Sequence, residues 1–426
     1  MNFNGLSVDQ APPISAPLRF FLSAPLFGIL AGFLIFFSDS ATLMSRYSLD
    51  SIVITHAITI GFLGFIILGA MTQMLSVLAG AKIPNVQAVA KYSHILLVLG
   101  SIFMFLGLLN NNHIFNIVAF VGLGSGFAII LLAILISLRS VKNFTATVRA
   151  MITSAVFALF AVVMGLYLLY SYISNEMSAF HMLVANIHSV WAVFGFAGVL
   201  IIGVAFQVLP MFYVAPKFKS FCKQKVVWLI SAGLVIWLFL NFFYEEYAIV
   251  GKIWIALFFW AFATTVWHKL NKRRRPISDV TVWYWRSASI FLTLGSFVWI
   301  FDEYFKNEYI VMAAILVGGF ILSVMTGMLY KIVPFLVWFH LNATGYTTIP
   351  TINEMINKNL AKVQFFLFIA SLVGFIFSFY MPEALKVSAL SFVLSMIVLE
   401  YNIIAPVLIY KRVIKTKPDF DMSAFA

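Results

Sequence analysis

The stretch Gly61-Phe62-Leu63-Gly64-Phe65-Ile66-Ile67-Leu68-Gly69-Ala70-Met71-Thr72-Gln73 decides the fold, because its pattern returns twice. The second copy reads Gly195-Phe196-Ala197-Gly198, then Gly203, then Gln207. The third reads Gly319-Phe320, then Gly327, then Lys331, with Leu322 where the middle glycine would stand. Spacing within the copies is the same, their separation is roughly 130 residues, and each lies in a long apolar run. A unit of about four membrane helices used three times is the architecture this predicts.

Composition agrees. Of the 426 residues, 63% are hydrophobic and 10% charged, and mean hydropathy is +1.02, which excludes an ordinary soluble domain. Apolar runs of about 20 residues leave room for roughly twelve spans. They are expected near 17–37, 51–79, 89–109, 114–137, 149–172, 181–214, 225–244, 247–268, 280–302, 308–339, 360–381 and 385–410. These runs lack period-two alternation, so the expected class is all-α and polytopic. The chain reads as one membrane domain, 1–426, with internal repeats at about 17–137, 149–268 and 280–410. Residues 1–16 are polar, and no cleavable leader is expected there.

Lys and Arg set the expected orientation. Loops after even-numbered spans hold Lys82, Arg139, Lys142, Lys217, Lys219, Lys223, the run Lys272-Arg273-Arg274-Arg275, and Lys358. The tail adds Lys411, Arg412, Lys415 and Lys417. Loops after odd spans hold little besides Arg46, Lys306 and Lys386, alongside Asp302, Glu303 and Glu308. By the positive-inside rule both termini face the cytoplasm, in a bacterial inner membrane. The net charge of +12 is thereby a topology signal beside lipid headgroups, not a nucleic-acid surface. The single Cys222 excludes an internal disulfide and any multi-cysteine metal site.

Twelve spans in three four-helix units, with the pattern on the second helix of each, resemble the catalytic subunit of the haem–copper oxidases. Pro17-Leu18-Arg19-Phe20-Phe21 and Thr55-His56-Ala57 ahead of Gly61-Phe62 are similar to NnrS-type membrane proteins of the nitric-oxide response. Gly203 to Phe212 and Gly327 to Phe335 resemble segments of oxidase-like bacterial proteins. The resemblance implies haem b held at outer depth by histidines of the second and tenth helices, and copper held on the sixth and seventh. It matches His56 to the second-helix haem ligand and His188 to the sixth-helix copper ligand. Partners it implies are respiratory or nitric-oxide-detoxifying proteins in the same bilayer.

Departures limit the chemistry. Span seven has no histidine, and span ten has none before His340. The repeat register sets Met312 opposite His188 and Ala314 opposite His56. The full histidine set for oxygen or nitric oxide reduction is therefore missing, and whether the chain is an enzyme stays open. His56 and His188, with Met312 as a thioether, are the candidate cofactor ligands. Met177, His181 and His188 form a stripe suited to copper(I). Counted at about 100° per residue, however, His56 and His188 take different phases relative to the glycines, and need not converge. Both also suit plain helix-contact roles, as the glycines do. His94 reads as a packing residue, His113 as a loop residue, and His268 and His340 as cytoplasmic-interface residues.

Gln73, Gln207 and Lys331 share one repeat position and predict a polar ring at inner depth. Lys331 and Glu400 both lie inside the third unit's inner half and are expected to pair. Two readings of function stand at this point. One is a haem- or copper-binding membrane protein serving nitric oxide tolerance or respiratory metal handling. The other is a metal-free permease or assembly factor on the same scaffold.

Overall fold

The computed structural model describes residues 12–141, 143–274, 276–277, 279–301 and 308–420, with the side chains of 78 and 308–310 excepted. Lys142, Arg275, Asp302, Glu303 and Lys306, used above to read orientation, lie outside them, as does the Glu308 side chain. Among the described residues the regular structure is helical, with no strand.

Twelve long helices follow in order: α1 Ser15–Phe37; α2, running through Leu49–His56, Ala57–Gly64 and Phe65–Ala79; α3 Val86–Leu109; and α4 His113–Arg139. Next come α5 Ala146–Ser174; α6, running through His181–Val190, Trp191–Gly198 and Val199–Tyr213; α7 Ser220–Phe243; and α8 Ala248–Asn271. The last are α9 Val280–Ile300, α10 Glu308–Ala343, α11 Lys358–Phe377 and α12 Ala384–Val413. Eleven are long and apolar enough to cross a membrane. The other is α9, whose first half carries Trp283, Tyr284, Trp285, Arg286 and Ser287. It is nevertheless a helix of 21 residues, packed against α8, α10 and α11.

Helix packing closes on itself. α1 packs on α3, α3 on α4, α4 on α5, α5 on α7, α7 on α8, α8 on α9, α9 on α11, α11 on α12, and α12 returns to α1. The helices that carry the glycine pattern lie inside. Their most apolar windows are 67%, 72% and 78% buried for α2, α6 and α10, against at most 50% in the other eight helices apolar enough to cross a membrane. α10 touches both α2 and α6.

The glycines show why. A Cβ on Gly61 would strike the Phe27 ring, one on Gly195 the Phe157 ring, and one on Gly319 would lie 3.1 Å from Phe291 Cγ. A Cβ on Gly69 would lie 2.9 Å from Phe20 Cβ, one on Gly327 2.7 Å from Tyr284 Cβ, and one on Gly203 would strike Ala150 Cβ. In each case the partner belongs to the preceding long helix, and small residues permit the close approach.

Two of the three central helices also share a defect. Ala57–Gly64 in α2 and Trp191–Gly198 in α6 are π-helical, at the same register of the pattern. A π turn closes an i→i+5 bond and so takes up an extra residue. The middle glycine makes room for it: a Cβ on Gly64 would lie 3.0 Å from Thr59 O, and one on Gly198 3.2 Å from Val193 O, each five residues back. Across α6, Ser154 Oγ donates to Phe196 O (3.0 Å), so a carbonyl of the π segment finds an outside partner. In α10, where Leu322 replaces that glycine, the helix is α throughout.

Candidate cofactor site between two imidazoles

His56 is the last residue before the π segment of α2, and His188 lies three residues before that of α6. Their rings face one another with centroids 6.1 Å apart and planes inclined by 22°. His56 Nδ1 is 2.7 Å from Ile52 O, one turn back in its own helix. His188 Nδ1 is 2.8 Å from Ala161 O on α5. A carbonyl oxygen only accepts, so each Nδ1 carries its proton and each Nε2 keeps a lone pair. Neither Nε2 has a hydrogen-bond partner among the described residues. An imidazole anchored to backbone at one ring nitrogen keeps the other free to accept a hydrogen bond or to bind a metal.

Gly165 on α5 makes the second imidazole possible, because a Cβ there would lie 3.0 Å from His188 Cε1. Its role is not apparent from the sequence pattern, since it lies outside the repeated motif.

The two rings open on a cavity of about 540 Å³ at the end of the bundle that carries the α1–α2 and α5–α6 links. It is mostly apolar, and its polar lining includes Arg46, Tyr172, His181 and Asn186. Arg46 comes from the link between α1 and α2 and donates to Asn186 Oδ1 and Ser189 Oγ (3.4 Å each), tying that link to α6. His181 Nδ1 is 3.2 Å from Ser171 Oγ, and Met177 is 65% exposed at the rim. Among the described residues no three His, Cys, Asp or Glu side chains cluster as a metal set, so His181 does not extend the His56–His188 pair.

Met312 is not brought to this site. It is 9% exposed and does not line the cavity, whereas Val311, Ala313 and Ala314 do. The helix turns its thioether away, and the partner of His56 is the imidazole of α6.

The charged pair expected at inner depth is also different. Lys331 Nζ is 2.5 Å from Asp279 Oδ2, at the start of α9, and Glu400 Oε2 is buried with no hydrogen-bond partner among the described residues. Asp279 Oδ1 accepts from Thr281 N and Thr281 Oγ1, so the carboxylate also caps α9. Gln73, Gln207 and Lys331 make no hydrogen bonds to one another; both polar atoms of the Gln73 amide, and Gln207 Oε1, are buried and unpartnered. The remaining polar interior is a network that the sequence reading missed. Tyr284 and Tyr330 hydroxyls donate to Gln364 Oε1, and Gln364 Nε2 donates to Ser395 Oγ.

The other histidines fall in ordinary places. His94 Nε2 meets Ser23 Oγ at 2.8 Å between the rings of Phe20 and Phe65, and His340 Nε2 meets Pro12 O at 3.0 Å.

A scan of protein-family models finds no match to this chain, and no curated protein is significantly similar to it.

Proposed function

We propose that the protein holds a haem b between His56 and His188 in a bacterial inner membrane, serving nitric oxide tolerance or respiratory metal handling. The observation that carries this is the pair of backbone-anchored imidazoles with open Nε2 atoms. With ring centroids 6.1 Å apart on one cavity, both imidazoles are close enough that one metal-bearing group could be held by the two of them. The cavity, about 540 Å³, is in the usual range for a cofactor pocket and far larger than a bare ion needs. A haem ligated by two protein imidazoles supplies one-electron transfer, its potential set by those ligands and by burial. The protein's own part is to fix both ring tautomers, keep the pocket largely apolar, and set Arg46 at its rim.

A second reading, copper(I) bridging the same two nitrogens, is favoured by the same geometry and by the nearby Met177 and His181. The scaffold we infer is three copies of a four-helix unit, α1–α4, α5–α8 and α9–α12. Support comes from the equal spacing of Phe20 and Phe27, Ala150 and Phe157, and Tyr284 and Phe291 against their glycines. The basic loops support an orientation with both termini in the cytoplasm.

Membranes expressing the chain under ample haem supply should yield a b-type spectrum that copurifies with it. His56→Ala and His188→Ala should each abolish that spectrum, and His340→Ala should leave it. Colourless protein that instead binds copper(I) would establish the second reading. Protein free of both would leave the permease or assembly-factor alternative.

A further inference from the structure

At the inner end, on the side of Lys331, the three central helices enclose a second cavity. Its volume is about 100 Å³, room for an ion and not for a cofactor. Six of the chain's 17 methionines line it: Met71 and Met74 of α2, Met151 of α5, Met211 of α6, and Met325 and Met328 of α10. Methionine in a core usually fills gaps, because its unbranched side chain adapts to irregular space. Here six of them surround a gap instead of closing it. Gln73 lines the same cavity, is 4% exposed, and has neither its amide oxygen nor its nitrogen partnered. Neither atom reaches the cavity, whose wall is apolar throughout, so the amide is not one of its donors.

Thioethers are soft donors and select copper(I) over hard cations. The lining offers no carboxylate and no imidazole, so hard divalent ions find no ligand. Trp285 and Phe212 supply aromatic faces beside the sulfurs, which favour a monocation.

From these features we propose that this cavity is a binding site for a soft monovalent cation, copper(I), on methionine sulfurs. It shares no residue with the His56–His188 site and does not depend on what that site holds.

Silver(I) is a redox-inert probe of the same softness. The full chain, purified in detergent without thiol reductants, should retain one silver ion against a chelator, with sulfur neighbours in X-ray absorption. The double change Met71→Leu and Met328→Leu keeps side-chain volume and should weaken retention at least tenfold. Met396→Leu, in α12 away from the cavity, should not. His188→Ala should leave the sulfur-bound silver in place, which separates this site from the outer one. If the double variant does not fold, Met325→Leu alone should still weaken binding severalfold at unchanged helicity. Wild-type protein without sulfur-bound silver, or methionine-to-leucine variants that bind as wild type does, would overturn the proposal.

Discussion

Lys331→Met tests the inner charge arrangement. Lys331 Nζ lies 2.5 Å from Asp279 Oδ2, and the two side chains are 14% and 26% exposed. At that separation and an effective dielectric constant of about 20, the Coulomb attraction is about 7 kcal/mol, most of it offset by the cost of desolvating both charges. Removing one partner of a buried pair typically costs about 3–5 kcal/mol, and the residual exposure puts this pair near the lower end. We expect Lys331→Met to destabilise by about 3 kcal/mol. Asp279→Asn should cost less, because asparagine still caps α9. A double-mutant cycle on thermal unfolding in detergent should then give a coupling of about 2 kcal/mol for Lys331 with Asp279. The same cycle on Lys331 with Glu400 should be additive within about 0.5 kcal/mol. The pH dependence is a second check. Burial pushes the Asp279 carboxyl up, but the charge and hydrogen bond of Lys331 and the two bonds from Thr281 outweigh it, so it sits below the ordinary carboxylate value. A lowered value stabilises the fold fully above the unfolded pKa, about 4. That contribution fades as pH falls through the lower, folded value. The stability gap between wild type and Asp279→Asn should hold from pH 7 to pH 5 and shrink below about pH 4. Coupling of Lys331 to Glu400 instead of Asp279, or a gap that widens in acid, would refute the reasoning.

Three further outcomes are expected. Gly61→Ala and Gly195→Ala should each cost about 1–3 kcal/mol, since the added carbon runs into Phe27 or Phe157; Gly319→Ala, whose nearest contact is 3.1 Å, should cost less, as melting temperatures would show. Gln364→Leu leaves the buried Tyr284 and Tyr330 hydroxyls without their acceptor and should cost about 2–4 kcal/mol, whereas Gln364→Glu should cost less if the new carboxyl stays neutral. Asp419 takes hydrogen bonds from Thr348 N, Thr347 N and Thr347 Oγ1 that hold its carboxyl down to about 2. Asp419→Asn should therefore raise amide exchange and proteolysis near 345–348, and in wild type that protection should persist in mild acid and vanish only as pH falls through about 2.

The candidate site between His56 and His188 shows how a helical count can misplace residues that the sequence singles out. His56 and His188 were legible as intramembrane imidazoles, but their helical phases were counted at an α-helix's angle per residue. Eight π-helical residues lie between each histidine and the glycine used as its reference, so that count fails across both stretches. The middle glycines that permit the π turns were visible all along, and Leu322 marked the copy without one. Met312 was paired with the site through a register carried across the repeats, which ignores that α10 keeps α geometry where α2 and α6 do not.

What the chain determined by itself is the helical membrane class and the placement of its long helices. Twenty-residue apolar runs must satisfy their backbone internally in lipid, and that requirement is local. The recurrence of Gly-Phe at fixed spacing likewise pointed to the helices that end up innermost, because close helix contact needs small side chains wherever it occurs. Tertiary structure alone decided the partners. Lys331 meets Asp279 because the start of α9 lies beside α10, although depth along the spans had pointed to Glu400. Six methionines scattered over four helices meet around one cavity for the same reason: burial of apolar faces is non-directional and fixes which residues go inside, while the close packing of particular helices fixes which of them touch.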